Sequence, residues 1–433
     1  MSTTTASWGA LRKFNGTALT HARKWLTVLS AVLMLTGSFL ISGCGGVHEN
    51  HADDLHIAVI DAGSSGSRIV LYERLNQGDS LQVEQRFADS GGLALSNFES
   101  NPAEAGPLGV KPLLDNLLAS LQANSISPGS VKVHLLATAG MRLLEAHNPA
   151  AAAAIYDSAR ATMARSGLRL GRVETLSGID EGLFAWLDLN ELAGNFNADR
   201  TTTLGLLEIG GASTQIAFVT RAQDSRAVSV SVKGKSYRVL SLSWLGLGQD
   251  QARLSMIGLT QTAAGQTDNV CYPDNTSQVG GLRAFDAGIN GLLIDTGSYD
   301  FSACSALYNA LLRGMQVREV TTVSDFAATT LVGVSAVKFA LSDWRATSDP
   351  AMLGRQLKDS CTGLDAYGKQ VLPLLVRSAP GNYFAQNACA NGTYVQALVF
   401  GPEGLGLRSD QLRVDIGKDQ SVNWTRGVAL AGS

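Results

Sequence analysis

The clearest hydrophobic–polar pattern in the chain is Ile57–Arg74, IAVIDAGSSGSRIVLYER. An apolar run ends in the acid Asp61, a turn of small residues runs from Ala62 to Ser67, and a second apolar run, Ile69–Tyr72, leads away. That order predicts a β-hairpin with a carboxylate at the mouth of its tight loop. The pattern returns without a gap at Leu204–Arg221, LGLLEIGGASTQIAFVTR, where Glu208 falls on Asp61, Gly210 on Gly63, Ile216 on Ile69 and Arg221 on Arg74. Two such copies predict a duplicated architecture whose loops face each other across a cleft.

Between and beyond the hairpins the periodicity changes. Pro107–Gln122 carries leucines at helical spacing (Leu113, Leu114, Leu117, Leu118, Leu121), after a turn at Ser90-Gly91-Gly92. Val131–Ala137 and Leu168–Glu174 predict buried strands. Asn148-Pro149 predicts a capped helix that runs through an alanine tract to Arg165. The sum, β-β-β-α-β-α-β, gives an α/β half with a mixed sheet. A helix opens at Ser177, with Asp180 and Glu181 in its first turn, where the dipole favours carboxylates. Strands to about Ser243, a helix from about Gln249, helical runs at Ser305–Arg313, Ser324–Trp344 and Met352–Cys361, a helix or strand at Tyr394–Gly401, a strand near Leu412–Ile416 and a short final helix complete the pattern. Gly265–Tyr299 is rich in Gly, Asp and Asn and predicts a long excursion.

Composition narrows the class. The chain has 433 residues, 45% hydrophobic and 16% charged, enough for one large or two medium cores. A net charge of −3 and the lack of a Lys/Arg run exclude an electrostatic nucleic-acid binder. Arg12, Lys13, Arg23 and Lys24 precede the apolar run Trp25–Ile41, which predicts a signal peptide over residues 1–43 or an uncleaved anchor; a tether over 44–55 follows. The ending Ile41-Ser42-Gly43-Cys44 resembles the bacterial lipobox, in which the cysteine carries the lipid. Both readings place the remainder outside the cytoplasm, on a membrane or anchored to it. Cys271, Cys304, Cys361 and Cys389 then form an even set in an oxidising compartment. They allow three pairings, of which the nearest-neighbour one, 271–304 with 361–389, is taken here. Without CxxC or clustered Cys/His, zinc is not expected. His134, mid-strand among apolar residues, is read as a core histidine.

The chemistry resides in the hairpin loops. Bare backbone N–H groups along a Gly/Ser turn make a concavity for anions, and a carboxylate beside them can hold a hard cation. Phosphate with a divalent metal is the ligand this combination suits. Trp244-Leu245-Gly246-Leu247-Gly248 contains no GxGxxG, so no dinucleotide site is read there.

Five segments taken together, Asp61–Arg68 (DAGSSGSR), Ala137–Arg142 (ATAGMR), Asp180–Trp186 (DEGLFAW), Glu208–Ile216 (EIGGASTQI) and Asn423–Gly427 (NWTRG), resemble in content and order the five short regions of the ecto-apyrases. These are nucleoside triphosphate diphosphohydrolases of the actin and sugar-kinase superfold. The resemblance spans about residues 56–433, including Ser243–Ala252 and the surroundings of the four later cysteines. It implies two ribonuclease-H-like, actin-like lobes with the site in the cleft between them: 56–177 plus 417–433 as the first lobe and 178–416 as the second. It also implies stepwise hydrolysis of nucleoside tri- and diphosphates to monophosphate and phosphate, with Mg²⁺ or Ca²⁺, by a monomer.

By position, the resemblance makes Glu181 the general base, with Thr138, Ser213 and Gln215 orienting it or the attacking water. It gives the phosphates to Gly63, Ser64, Ser65, Gly66 and Ser67 and to Gly210, Gly211 and Ala212; Arg142 either steers them or stands in a buried ion pair. Asp61 and Glu208 hold the metal, largely through water, and Trp424 bounds its water shell. Phe339 falls near the base-stacking position. These residue types suit phosphoryl transfer to water, where positioning and charge neutralisation dominate and one carboxylate takes the water's proton. The chain departs from the family pattern at Glu208, usually Asp, and at Gly66, often His in vertebrate members, which puts metal preference and tri- against diphosphate preference in question. An exopolyphosphatase or guanosine-pentaphosphate phosphatase of the same superfold, and a lipid-anchored nucleotide binder without turnover, are the alternatives.

Overall fold

The structure is a computed structural model and describes residues 55–77, 80–197, 199–200, 202–260, 268–272, 296–297, 299–347, 349–361, 387–416 and 421–431. Cys44 and most of the expected excursion 265–299 lie outside them.

The first sheet has the order β3-β2-β1-β4-β5: β1 (His56–Ala62), β2 (Ser67–Gln77), β3 (Ser80–Gly92), β4 (Val131–Ala137) and β5 (Arg169–Thr175). β1, β2 and β3 pair antiparallel, while β4 and β5 join in parallel. The second sheet has the order β13-β12-β6-β7-β9-β8: β6 (Gly205–Ile209), β7 (Ser213–Val219), β8 (Val228–Val232), β9 (Lys235–Leu245), β12 (Leu331–Ser335) and β13 (Leu412–Arg413). Its β6, β7 and β9 are antiparallel and its β12 and β13 parallel, so the five-strand pattern repeats, with β8 added at one edge. Two-residue strands β10 (Asp268–Asn269) and β11 (Thr296–Gly297) pair by themselves.

The central strand of each sheet is apolar on both faces because both faces are covered. In β1, Ala58, Ile60 and Ala62 enter a core with α1 (Lys111–Ala123), α2 (Ala139–His147) and α3 (Pro149–Ala164), whereas Ile57 and Val59 enter another. β6 divides likewise: Leu207 and Ile209 join the core of the second sheet, and Leu206 joins the core that Ile57 and Val59 enter. That shared core is filled by α4 (Gly178–Leu192) and α10 (Trp424–Ala431) through Trp186, Leu189, Trp424 and Val428. The remaining α-helices, α5 (Gln249–Thr260), α6 (Phe301–Gly314), α7 (Ala336–Asp343), α8 (Leu353–Cys361) and α9 (Ala388–Phe400), build the second half.

Both disulfides follow the nearest-neighbour pairing, Cys271–Cys304 and Cys361–Cys389. They close loops of 33 and 28 residues, each worth about 3–4 kcal/mol through the entropy of the unfolded chain. Among the described residues, no helix is long and apolar enough to cross a membrane.

Two expectations change and one open reading is decided. Ser324–Trp344 is not one helix: Leu331–Ser335 is a strand paired with β6 on one side and β13 on the other, and only α7 follows it. A short apolar strand buried between parallel neighbours has no period that distinguishes it from helix. Ser90–Gly92 ends β3 instead of forming a turn, because Gly92 pairs with Ser67 and a Cβ there would meet Leu113 at 2.8 Å. Tyr394–Gly401, open between helix and strand, belongs to α9.

Candidate functional site

The two hairpins form in the same register. Across β1–β2, Asp61 faces Arg68; across β6–β7, Glu208 faces Gln215. Their loops meet: a Cβ on Gly211 would lie 2.7 Å from Ser64 Oγ, and one on Gly140, in the first turn of α2, would lie 2.9 Å from Ser64 Cα. Glycine at these two positions lets the backbones approach, and the result is a cavity of about 460 Å³ between the loops.

Asp61, Gly63, Ser64, Ser65, Gly66, Ser67, Thr138, Glu181, Glu208, Gly210, Gly211, Ala212, Ser213, Phe339 and Trp424 line this cleft. Gln215 and Arg142 do not line it but stand behind Glu181. Arg142 Nη2 donates to Glu181 Oε2 at 2.5 Å and to Ser213 Oγ at 3.2 Å, and its side chain is 13% exposed. Of the two expectations for Arg142, a phosphate ligand or a buried ion pair, the structure shows the ion pair, made with Glu181. Gln215 Nε2 donates to the same Glu181 oxygen at 3.1 Å and to Ser213 Oγ at 2.6 Å. Thr138 reaches the cleft wall from the strand end before α2 and makes no side-chain bond to Glu181.

Helix α4 presents Glu181 because Ser177 caps its N-terminus, accepting from the Asp180 N–H, and Asp180 turns back to accept from Ser177 Oγ at 2.7 Å. Asp180 is thereby used in the cap, and Glu181, one residue on, points inward and is buried. Gly182 admits the close approach to β7 and β9; a Cβ there would meet Ser241 Oγ at 2.8 Å and Gln215 Cβ at 3.2 Å. At the other crossing helix, α10, Arg426 donates to Asp188 at 3.0 Å, the Asn423 N–H donates to the same carboxylate at 2.6 Å, and Thr425 bonds Tyr72 at 2.7 Å. This fixes Trp424, at the first turn of α10, against α4 and the first sheet.

Two buried carboxylates, Asp61 and Glu181, share the cleft with the half-buried Glu208. Burial pushes Glu181 up to about 8; Arg142 opposes this, while the charges of Glu208 and Asp61 add to it. Asp61 is raised by burial, against the pull of Arg68, which bonds it at 2.8 Å. Glu208 is raised by burial too, against a hydrogen bond from Ser335 Oγ at 3.1 Å. Glu208 Oε2 is buried and has no partner among the described residues. Two acidic side chains on opposed loops, one with an orphaned buried oxygen, fit a hard divalent cation held by few protein oxygens and completed by water. No cluster of three or more His, Cys, Asp or Glu that could hold a metal ion occurs among the described residues.

Sequence reasoning did not assign roles to Arg68 or Ser335. Arg68 stood in a quoted motif, but its partner emerges only from the register. Ser335 was hidden inside the misread helix; it sits at φ 54°, ψ −125°, a conformation costly for a residue with a side chain, and from there it reaches Glu208.

Several known proteins are similar to this chain. Ectonucleoside triphosphate diphosphohydrolase 3 of Mus musculus is 31% identical over 51% of this chain and 45% of its own length. Nucleoside diphosphate phosphatase ENTPD5 of Homo sapiens is 33% identical over 49% of this chain and 50% of its own. Probable apyrase 4 of Arabidopsis thaliana is 30% identical over 66% of this chain and 59% of its own. The chain thus spans about half the length of the first two relatives. The crystal structure of nucleoside triphosphate hydrolases from Neospora caninum superposes with a TM-score of 0.60 at 17% identity, covering 95% of this chain and 96% of that one, and so shares its two-lobed, actin-like fold. Residues 47–327, which hold both hairpins, α2 and α4, match one family throughout: the chain belongs to the GDA1/CD39 (nucleoside phosphatase) family.

Proposed function

We propose that this protein hydrolyses the terminal phosphoanhydride bond of nucleoside tri- and diphosphates with a divalent cation, Mg²⁺ or Ca²⁺, giving nucleoside monophosphate and phosphate. The observation that carries the reading is the Glu181 carboxylate, gripped through one oxygen by Arg142 and Gln215 on the wall of a cleft between two acid–glycine hairpins. Its second oxygen, Oε1, accepts no hydrogen bond from the described residues and faces the cleft, where it can take a proton from water. Arg142 and Gln215 hold the carboxylate in one orientation while it does so. Backbone N–H groups of Gly63–Ser67 and Gly210–Ser213 bind the phosphate oxygens, with Ser64 and Ser213 as hydroxyl donors. Asp61 and Glu208 hold the cation, which when bound neutralises phosphate charge and the two carboxylates that push Glu181 up. Phe339 stacks the base.

The two lobes are residues 56–177 with 417–433, and 178–416. The matching strand orders support this division. The protein works outside the cytoplasm, tethered through a lipid on Cys44; supporting this are the Ile-Ser-Gly-Cys ending and two disulfides. Membrane fractionation tests the anchor: Cys44→Ser is expected in the soluble fraction, and continued membrane retention would rule out the lipid.

Phosphate release from ATP and ADP with calcium tests the activity. Glu181→Ala is expected to lower kcat by about two orders or more with nucleotide binding retained. Equal rates in the two proteins would overturn the assignment of the base, and polyphosphate hydrolysis with inert ADP would overturn the substrate.

A further inference from the structure

Part of the cleft is walled by α7 and α9 instead of the hairpins. Ala336, Phe339, Ala340 and Asp343 all line it, and their spacing is that of one face of a helix turned to the cavity. Phe339 is 65% exposed, so this face presents an uncovered aromatic ring. Asp343 stands one turn after Phe339, at the C-terminal end of α7, where the helix dipole disfavours a carboxylate. It is half-buried and makes no hydrogen bond or ion pair with the described residues, and burial raises its carboxyl. From α9, Asn391 lines the same cavity, 7% exposed, and its buried Oδ1 has no partner among the described residues.

A bare ring flanked by two uncompensated acceptors calls for a planar ligand that brings N–H donors on its edge. The purines differ in this respect. Guanine carries adjacent donors at N1–H and N2–H₂, which a carboxylate accepts through its two oxygens; hypoxanthine carries only N1–H; adenine offers a lone acceptor at N1 beside its amino group. We propose that Asp343 makes the base site selective for guanine nucleotides, accepting N1–H and N2–H₂ from a base stacked on Phe339, with Asn391 as a further acceptor at the ring's edge. This rests on the reading of the cleft as a nucleotide site. The selectivity belongs to binding, because the base lies apart from the reacting phosphate.

Calorimetric titration of the full chain, with calcium present, with GMP, IMP and AMP tests it without turnover. GMP is expected to bind about tenfold or more tightly than AMP, as a hydrogen bond to a charged acceptor warrants, with IMP between. Asp343→Ala should level the three. Asp343→Asn, which exchanges one acceptor for a donor, should weaken GMP and strengthen XMP, whose C2 carbonyl replaces the N2 amino group. Affinities equal within about twofold, an order unchanged in Asp343→Ala, or a preference that follows the ribose hydroxyl in 2′-deoxy-GMP instead of the base would each overturn the proposal. The two readings fail separately. Nucleotide hydrolysis with a flat base order removes only the selectivity, whereas an intact base order without hydrolysis removes only the activity.

Discussion

In the first hairpin the residue across from the acid is Arg68, and it bonds Asp61 at 2.8 Å. In the second the residue across from the acid is Gln215, and it turns to Glu181 at 3.1 Å instead. The scaffold is shared down to the register, since each acid pairs with the residue seven positions on. The uses differ because the neighbours differ. Asp61 carries its own counter-charge across the strand. Glu208 faces an amide, keeps one bond from Ser335 and leaves its other oxygen without a partner among the described residues. A duplicated unit has thus put charge compensation at one cross-strand position and a hold on the Glu181 carboxylate at the other.

Exchanging the two cross-strand residues for leucine should separate these roles most sharply. Gln215→Leu removes one of the two groups that grip Glu181, and kcat is expected to fall by about 10²-fold, the scale of a mispositioned general base. Arg68→Leu leaves Glu181 and its partners in place and should change kcat only a few-fold, at about the level of the lost charge pair on a side chain that is 45% exposed. Phosphate release at saturating calcium and ADP measures both. Similar losses in the two variants would mean that the hairpins are functionally equivalent and that the contrast between them is only geometric.

How much of this was legible before the fold is itself uneven. The hairpins, their acids and glycines, and the helix that bears Glu181 are local patterns: alternation, a tight turn, a serine cap. Sequence periodicity carries such information directly. The partners of those acids are not local. Arg68 and Gln215 acquire their meaning from register, Arg142 from the reach of its side chain to Gly178 and Glu181 on α4, and Ser335 from a strand whose apolar run, Leu331–Ser335, imitates helix. Arg142, a cation in a motif, is open in sequence between the phosphates and a buried ion pair; at 13% exposure beside an acid, it is held by the carboxylate. Asp343 and Asn391 drew no attention, since neither belongs to a pattern and only the cavity joins them.

The pH profile offers a second, smaller separation. In its proposed role as base, Glu181 would work only when ionised, so the acidic limb should follow its carboxyl, which burial pushes up to about 8 against the pull of Arg142. Removing a neighbouring cation disfavours the ionised form and raises the carboxyl further. Arg142→Met should therefore move the acidic limb of kcat/KM to higher pH, with a loss at neutral pH of roughly tenfold that alkaline buffer restores. Arg68 is not among the largest influences on Glu181 and faces the neighbouring carboxylates instead, so Arg68→Met should move the limb less than Arg142→Met does. A limb unmoved in Arg142→Met would assign it to another group.

The smallest expected change comes from making the second acid like the first. Glu208→Asp shortens the side chain by one methylene, enough to lose the 3.1 Å bond from Ser335 and to move the carboxylate by about a bond length. A water-completed site tolerates that displacement, so the rate should change only a few-fold. The two cations should feel it differently. Mg²⁺ demands near-ideal octahedral geometry and gives up water reluctantly, whereas Ca²⁺ accepts six to eight oxygens in flexible arrangements. The ratio of activities with Mg²⁺ and Ca²⁺, measured after chelator treatment and titration of each metal, should therefore shift by about a few-fold, while Asp61→Glu in the first hairpin, constrained by Arg68, should cost more overall. A ratio unchanged by Glu208→Asp would show that the length of the acid is immaterial, and that the hairpins differ only in the residue each acid faces.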